Sequence, residues 1–154
     1  MNSLENNNIR LPLLRDIQNL SGKRVLVRAS LNVSLENGDI LSDFRLVRLF
    51  PTIKYLRKCG ARIIIIGHIG RDPKETLEPV CQYLNKKFDI TFVKDSIGPS
   101  AEDVVAGMQN GDIVLLENLR QRDGEYTNDE SFSKHLASLA DIYVNEAFAV
   151  SHRK

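Results

Sequence analysis

The sequence predicts an α/β fold: three layers (α/β/α), with helices on both faces of a mostly parallel, Rossmann-like sheet of about five strands. Two observations carry that expectation. Short β-branched runs alternate along the chain with longer stretches of helical spacing, and the short runs are nearly continuous in apolar residues, as in strands covered on both faces. With 154 residues the chain is long enough for one domain with a sizeable core and short for two. Residues 1–15 read as a polar leading segment and 16–154 as the domain.

The elements follow in order. Arg24 to Arg28 reads as the first strand, and Asn37-Gly38-Asp39 as a turn within a small excursion after it. Asp43 to Cys59 has helical spacing, with Ser42 as N-cap, Gly60 suited to the left-handed position after the last turn, and Pro51 expected to kink or split it. Arg62 to Gly67 is the second strand, Leu77 to Lys87 a helix, Thr91 to Val93 the third strand and Ser100 to Met108 a helix. Ile113 to Leu116 is the fourth strand. Asn128 to Leu139 is the last helix, with Asn128 as N-cap and Asp129 and Glu130 in its first turn, and Ile142 to Val144 is the fifth strand.

Composition narrows the function classes. Lys and Arg total 21 against 20 Asp and Glu, so a net charge of +1 exerts no global pull on nucleic acid or an anionic membrane. An anion site must come from local placement. The asparagine-rich start, Met1 to Arg10, lacks the apolar run of a signal peptide, and the longest apolar stretch, Ile63 to Ile66, is too short to span a bilayer, which leaves a cytoplasmic location by default. Cys59 and Cys81 follow no metal-ligand or C-x-x-C spacing and read as two buried free thiols.

In an open parallel sheet, ligands bind beyond the carboxyl ends of the strands. Ser30 and Asn32 follow the first strand, His68 and Arg71 the second, Asn118 and Arg120 the fourth, and His152 and Arg153 the fifth, while Arg45 opens the first long helix on the same edge. Four arginines and two histidines are thus expected on one rim of a nearly neutral protein. Two guanidinium groups about 8 Å apart repel by roughly 0.5 kcal/mol in water and about 2 kcal/mol at intermediate dielectric. A bound anion removes that penalty. Arginine forks suit phosphate and carboxylate oxygens, which points to a small, multiply anionic ligand.

A single post-strand arginine is more often a surface side chain, and Arg48, Arg57, Arg62 and Arg122 stay in that class, as His135 stays a structural residue on a helix face. His68 gains weight from Gly67-His68-Ile69-Gly70-Arg71, whose two glycines let the backbone turn straight off a strand and approach a ligand closely. There is no G-x-x-x-x-G-K-[ST] loop, no G-x-G-x-x-G after the first strand, no nucleophile elbow and no metal-ligand cluster.

Five segments together resemble the phosphoglycerate kinase family. They are Lys23-Arg24-Val25-Leu26-Val27-Arg28 through Asn32-Val33, Pro51-Thr52-Ile53-Lys54-Tyr55-Leu56, Gly67-His68-Ile69-Gly70-Arg71, Leu115-Leu116-Glu117-Asn118-Leu119-Arg120, and Ala140-Asp141-Ile142-Tyr143-Val144-Asn145-Glu146-Ala147-Phe148. They occur in order and at compatible spacing, within a likeness running from about Asp16 to the last residue and ending in Ser151-His152-Arg153.

The resemblance implies glycolytic phosphoryl transfer between 1,3-bisphosphoglycerate and ADP, giving 3-phosphoglycerate and ATP, in a monomeric two-domain enzyme. By that resemblance Asn32 contacts the glycerate, His68, Arg71, Arg120 and Arg153 hold the non-transferring phosphate with His152 beside them, and Arg45 is the catalytic arginine. Mg-ATP or Mg-ADP belongs to a second domain that this chain lacks, so the chain alone is expected to show no turnover and marginal stability.

The sequence departs from the family pattern in three places. Ser30 stands where the family has an aspartate toward the substrate, Asp72 where it has proline, and Ala149 where it has glycine. Ser30 motivates a competing reading, a non-catalytic phosphate-binding or interaction module derived from the same domain; a general α/β sugar-phosphate binder is a third.

Overall fold

The computed structural model describes residues 12–151, the side chain of Val150 excepted. His152 and Arg153 lie outside the described residues. The elements run β1 (Arg24–Arg28), β2 (Leu35–Glu36), β3 (Asp39–Ile40), α1 (Phe44–Lys58), β4 (Arg62–Ile66), α2 (Glu78–Leu84), β5 (Thr91–Val93), α3 (Pro99–Gly107), β6 (Ile113–Leu116), α4 (Asp123–Thr127), α5 (Glu130–Ser138) and β7 (Ile142–Asn145). Single 3-10 turns occur at Leu14–Asp16, Leu119–Gln121 and Phe148–Val150.

Five strands form one sheet in the order β5-β6-β4-β1-β7, every pair parallel. β2 and β3 make a separate antiparallel hairpin around Asn37 (φ 52°) and Gly38 (φ 88°), the two left-handed residues that a tight primed turn requires. The three-layer α/β expectation is met, with the sheet wholly parallel.

The near-continuous apolar character of the strands follows from the alternation of side chains across the sheet. Val25, Val27, Ile63, Ile65, Ile113 and Leu115 pack on one face with Leu46, Leu49, Ile53 and Leu56 of α1 and Val80, Cys81 and Leu84 of α2. Leu26, Ile64, Ile66, Val114 and Leu116 pack on the other with Ala101 and Val105 of α3 and Phe132 and Leu136 of α5. Each fully buried aliphatic side chain contributes about 1.5–3 kcal/mol of transfer free energy. Because the connection leaving β4 runs to α2 on one face and that leaving β6 runs to α5 on the other, the carboxyl ends of these neighbouring strands open a crevice.

Several boundaries differ from expectation. α1 begins at Phe44 with Asp43 in the N-cap position; Ser42 is not the cap, and the Asp43 carboxylate accepts a hydrogen bond from the Tyr83 hydroxyl. Pro51 does not split α1. It lies on the exposed face together with Val47, so the helical bond lost to proline falls where water reaches the backbone. The last helix is preceded by a short one, α4, which ends at Asn128 in a left-handed conformation (φ 54°), while Asp129 caps α5 by accepting from the Phe132 N–H at 2.6 Å. Asparagine tolerates that conformation, and the carboxylate next to it is free to cap. α2 stops at Leu84, because the Asn85 side chain turns to bond the backbone N–H (2.7 Å) and C=O (3.1 Å) of Ile90. Both cysteines are free; Cys81 is buried, but Cys59, at the C-terminal end of α1, is only half-buried.

Candidate functional site

Three loops beyond the strand ends build the site. After β1, the Ala29 N–H continues the ladder by donating to Ile66 O (2.8 Å), which carries Ser30 and Asn32 out over the sheet edge. Asn32 then ties three elements: its side-chain oxygen accepts from the Gly70 N–H (2.9 Å), and its carbonyl accepts from Arg45 Nη1 (2.8 Å) in the first turn of α1.

The loop after β4 needs its glycines. A Cβ on Gly67 would lie 2.8 Å from the carbonyl oxygen of Ala29 and from the Leu31 side chain. Gly70 has φ +63°, and Glu75 curls beneath it so that its carboxylate accepts from the N–H groups of Arg71 (3.0 Å) and Asp72 (3.1 Å). Neither Asp72 nor Ala149 adopts a positive φ, so both departures from the family pattern are compatible with the backbone.

The loop after β6 is bound to the loop after β4. Asn118 is fully buried and uses its whole amide: its oxygen accepts from the N–H groups of Ile69 (3.2 Å) and Arg120 (3.2 Å), and its nitrogen donates to Ile69 O (3.1 Å) and Glu75 O (2.8 Å). Glu117, also buried, accepts from the N–H groups of Asn118 (2.7 Å) and Leu77 (2.8 Å) and from the Thr76 hydroxyl (2.6 Å). Arg120 follows, 6% exposed. Its Nη1 donates to Gly70 O, its guanidinium lies 5.4 Å from the Tyr126 ring centroid, and its buried Nε has no hydrogen-bond partner and faces Glu125 Oε2 at 3.9 Å.

Ser30, Asn32, Arg45, His68, Arg71 and Arg120 come together around one cavity of about 200 Å³, completed by Ala29, Ala147 and Ala149. His68 is buried and Arg45 and Arg71 are exposed. A larger cavity beside it, about 600 Å³, is lined by Arg28, Glu125, Tyr126, Tyr143 and Asn145 among others, but its one arginine is already paired with Glu125 at 3.0 Å. The smaller cavity therefore has the chemistry of an anion site. Its walls present guanidinium, imidazole, amide and hydroxyl groups, which suit phosphate and carboxylate and fit magnesium or a magnesium-bound nucleotide poorly. Among the described residues no group of three or more His, Cys, Asp or Glu is arranged to hold a metal ion, and no helix is long and apolar enough to cross a membrane.

Arg122 is paired at the surface with Asp95 (2.5 Å), and His135 lies exposed on α5 with its Nδ1 2.8 Å from Ser131 O. Sequence reasoning placed Asn118 at the sheet edge but missed its clamping role, and it passed over Glu75, Glu117, Glu125 and Tyr126. The adjacent Glu117 and Asn118 straight after an apolar strand were the available signal, since polar groups buried there need partners.

The family model for phosphoglycerate kinase matches residues 14–154. The chain belongs to the phosphoglycerate kinase family. It is 43% identical over 147 residues to a phosphoglycerate kinase of Methylorubrum extorquens, covering 91% of this chain and 37% of that relative. To that of Clostridium beijerinckii it is 45% identical over 150 residues, with 95% and 38% covered. The fold superposes on the phosphoglycerate kinase of Pyrococcus horikoshii with a TM-score of 0.82 at 31% identity, covering 91% of this chain and 37% of that one. For the phosphoglycerate kinase of Coxiella burnetii the values are 0.77 and 35%, covering 88% and 35%. The chain thus spans little more than a third of the length of the phosphoglycerate kinases it matches. The cavity residues from Ala29 to Ala149 all fall inside the matched region.

Proposed function

We propose that the chain binds 3-phosphoglycerate or 1,3-bisphosphoglycerate in the cavity of about 200 Å³ and supplies the acid site for reversible phosphoryl transfer from 1,3-bisphosphoglycerate to ADP in the cytoplasm. The observation that carries this reading is the convergence of His68, Arg71 and Arg120, from two separate loops, on a small cavity whose other wall is Ser30, Asn32 and Arg45. In this reading His68, Arg71 and Arg120, with Arg153, hold the phosphate that is not transferred. Asn32 and Ser30 orient the glycerate. Arg45, exposed at the mouth, steadies charge on the migrating phosphoryl group, a task that needs positioning and charge rather than a nucleophile. Mg-ATP or Mg-ADP belongs to the part of the family's length that this chain does not span.

Calorimetric titration with 3-phosphoglycerate tests the reading. A charge-assisted bond contributes about 1.5–3 kcal/mol, so Arg120→Ala is expected to weaken binding by about 10- to 150-fold. Equal binding by the variant and the native chain would sink the assignment. Ser30 favours the second reading, a phosphate-binding module without catalysis; tighter binding and altered ligand preference in Ser30→Asp would show that the family's hydroxyl contact has been given up here.

A further inference from the structure

We propose that Glu125 is a positioning residue for the phosphate site: a carboxylate outside the cavity that sets the Arg120 guanidinium for its ligand. The inference rests on the phosphoglycerate-binding reading and deepens it. Glu125 is not part of the cavity wall. Its side chain is 9% exposed and its two oxygens face different arginines: Oε1 accepts from Arg28 Nη2 at 3.0 Å, and Oε2 faces Arg120 Nε at 3.9 Å.

The two arginines differ in what holds them. Arg28 is the last residue of β1, inside the sheet and in register with Ile66 and Asn145 on its two neighbours, so its backbone is fixed. Arg120 sits in a single 3-10 turn, and its side chain, 7% exposed, must find its direction from contacts. These are the carbonyl of Gly70 in front, the Tyr126 ring and the Glu125 carboxylate. Tyr126 also donates its hydroxyl to Arg71 O at 3.3 Å, so consecutive residues of α4 touch the supports of two cavity arginines.

A negative charge is required at position 125 for a physical reason. Without it the nearly buried Arg120 guanidinium and the part-buried Arg28 guanidinium, whose side chain is 28% exposed, lose the counter-charge they share, and Arg120, which no strand holds, turns away from its ligand-binding direction. With it, Arg120 is oriented before ligand arrives and little ordering is left for binding to impose.

The test is titration of the full chain with 3-phosphoglycerate for the native protein, Glu125→Gln, Glu125→Ala, Arg120→Ala and the Glu125→Ala/Arg120→Ala double variant, with thermal unfolding of each. Glu125→Ala is expected to bind about tenfold more weakly or worse, which is about 1.4 kcal/mol. Glu125→Gln, which keeps the shape and one acceptor, is expected to recover part of that loss, and the double variant to bind no worse than Arg120→Ala alone. Should Glu125→Ala fail to fold, Glu125→Gln decides by its affinity and by faster solvent exchange of the Arg120 Nε proton. Native-like binding in both Glu125 variants, or losses that multiply in the double variant, overturns the positioning role while leaving the site intact. Absence of binding by the native chain overturns the phosphoglycerate reading and this role with it.

Discussion

Gly70 stands at φ +63°, and a Cβ built there would collide with the Glu75 carboxylate. Gly70→Ala is therefore expected to destabilise the chain by about 1–2 kcal/mol from the backbone alone. It should also release the cap on Arg71 and Asp72, so 3-phosphoglycerate affinity falls with it; a urea midpoint and an affinity equal to the native chain's would refute this. The need for glycine at that place was legible in the sequence, where two glycines bracket His68 and Ile69. The reason for its severity was not, because Glu75 reaches Gly70 only when the loop is folded. The cysteines behave likewise. Burial, with a smaller contribution from Glu78, pushes the Cys81 thiol up to about 11. A disulfide reagent at neutral pH is expected to label half-buried Cys59 first and Cys81 only after denaturation. Fast labelling of both in the folded chain would contradict the structure.

At the scale of the elements, β7 is pinned at its start by one ion pair. The Asp141 carboxylate accepts from the Arg24 backbone N–H (2.9 Å) and Nη2 (2.8 Å), while the Asp141 N–H donates to Arg24 O (2.9 Å). The Arg24 side-chain bond, then its backbone bond, hold the Asp141 carboxyl down at about 2 against an ordinary 3.8. A depressed folded-state value means that the contribution to stability is complete above pH of about 4 and is lost as pH falls toward 2. Asp141→Asn should flatten the fall of the urea midpoint across that window, and an unchanged slope would show that the pair does not couple to folding. The strand and helix types could be read from period and β-branching, but Asp141 and Arg24 are far apart in sequence and meet only through parallel pairing. Asn128 likewise looks like a cap until the preceding turn closes as α4 and leaves Asp129 to do the capping.

At the scale of the whole molecule, ligand binding should appear as stability. Free 3-phosphoglycerate at 100 times its dissociation constant is expected to stabilise the native chain by about 2.7 kcal/mol, a rise of roughly 5–10 °C in Tm, and to do far less for Arg120→Ala at the same concentration. No shift in the native chain would argue against a built site. The 154-residue chain is also expected to form no ATP from 1,3-bisphosphoglycerate and ADP, since its cavity suits the acid and not a magnesium nucleotide. ATP formation by the purified chain above a no-protein control would refute that. β7, like β5 at the opposite edge, has a strand partner on one side only among the described residues; β5 buries Val93, whereas no residue of β7 is buried and Tyr143 on it is 57% exposed, so the β7 edge is the less protected of the two.

The sequence by itself determined the α/β class and the five sheet strands, and it singled out His68, Arg71 and Arg120 beyond strand ends, because hydrophobic period is local in origin and the strand-end rule needs only the strand assignments. Tertiary structure alone decided that Ser30, Asn32, Arg45, His68, Arg71 and Arg120 share one cavity, that Asn118 uses every donor and acceptor to hold two loops together, and that Glu125 stands between Arg28 and Arg120. These are contacts between segments distant along the chain, and their partners are chosen by sheet order and loop direction, which no local pattern encodes.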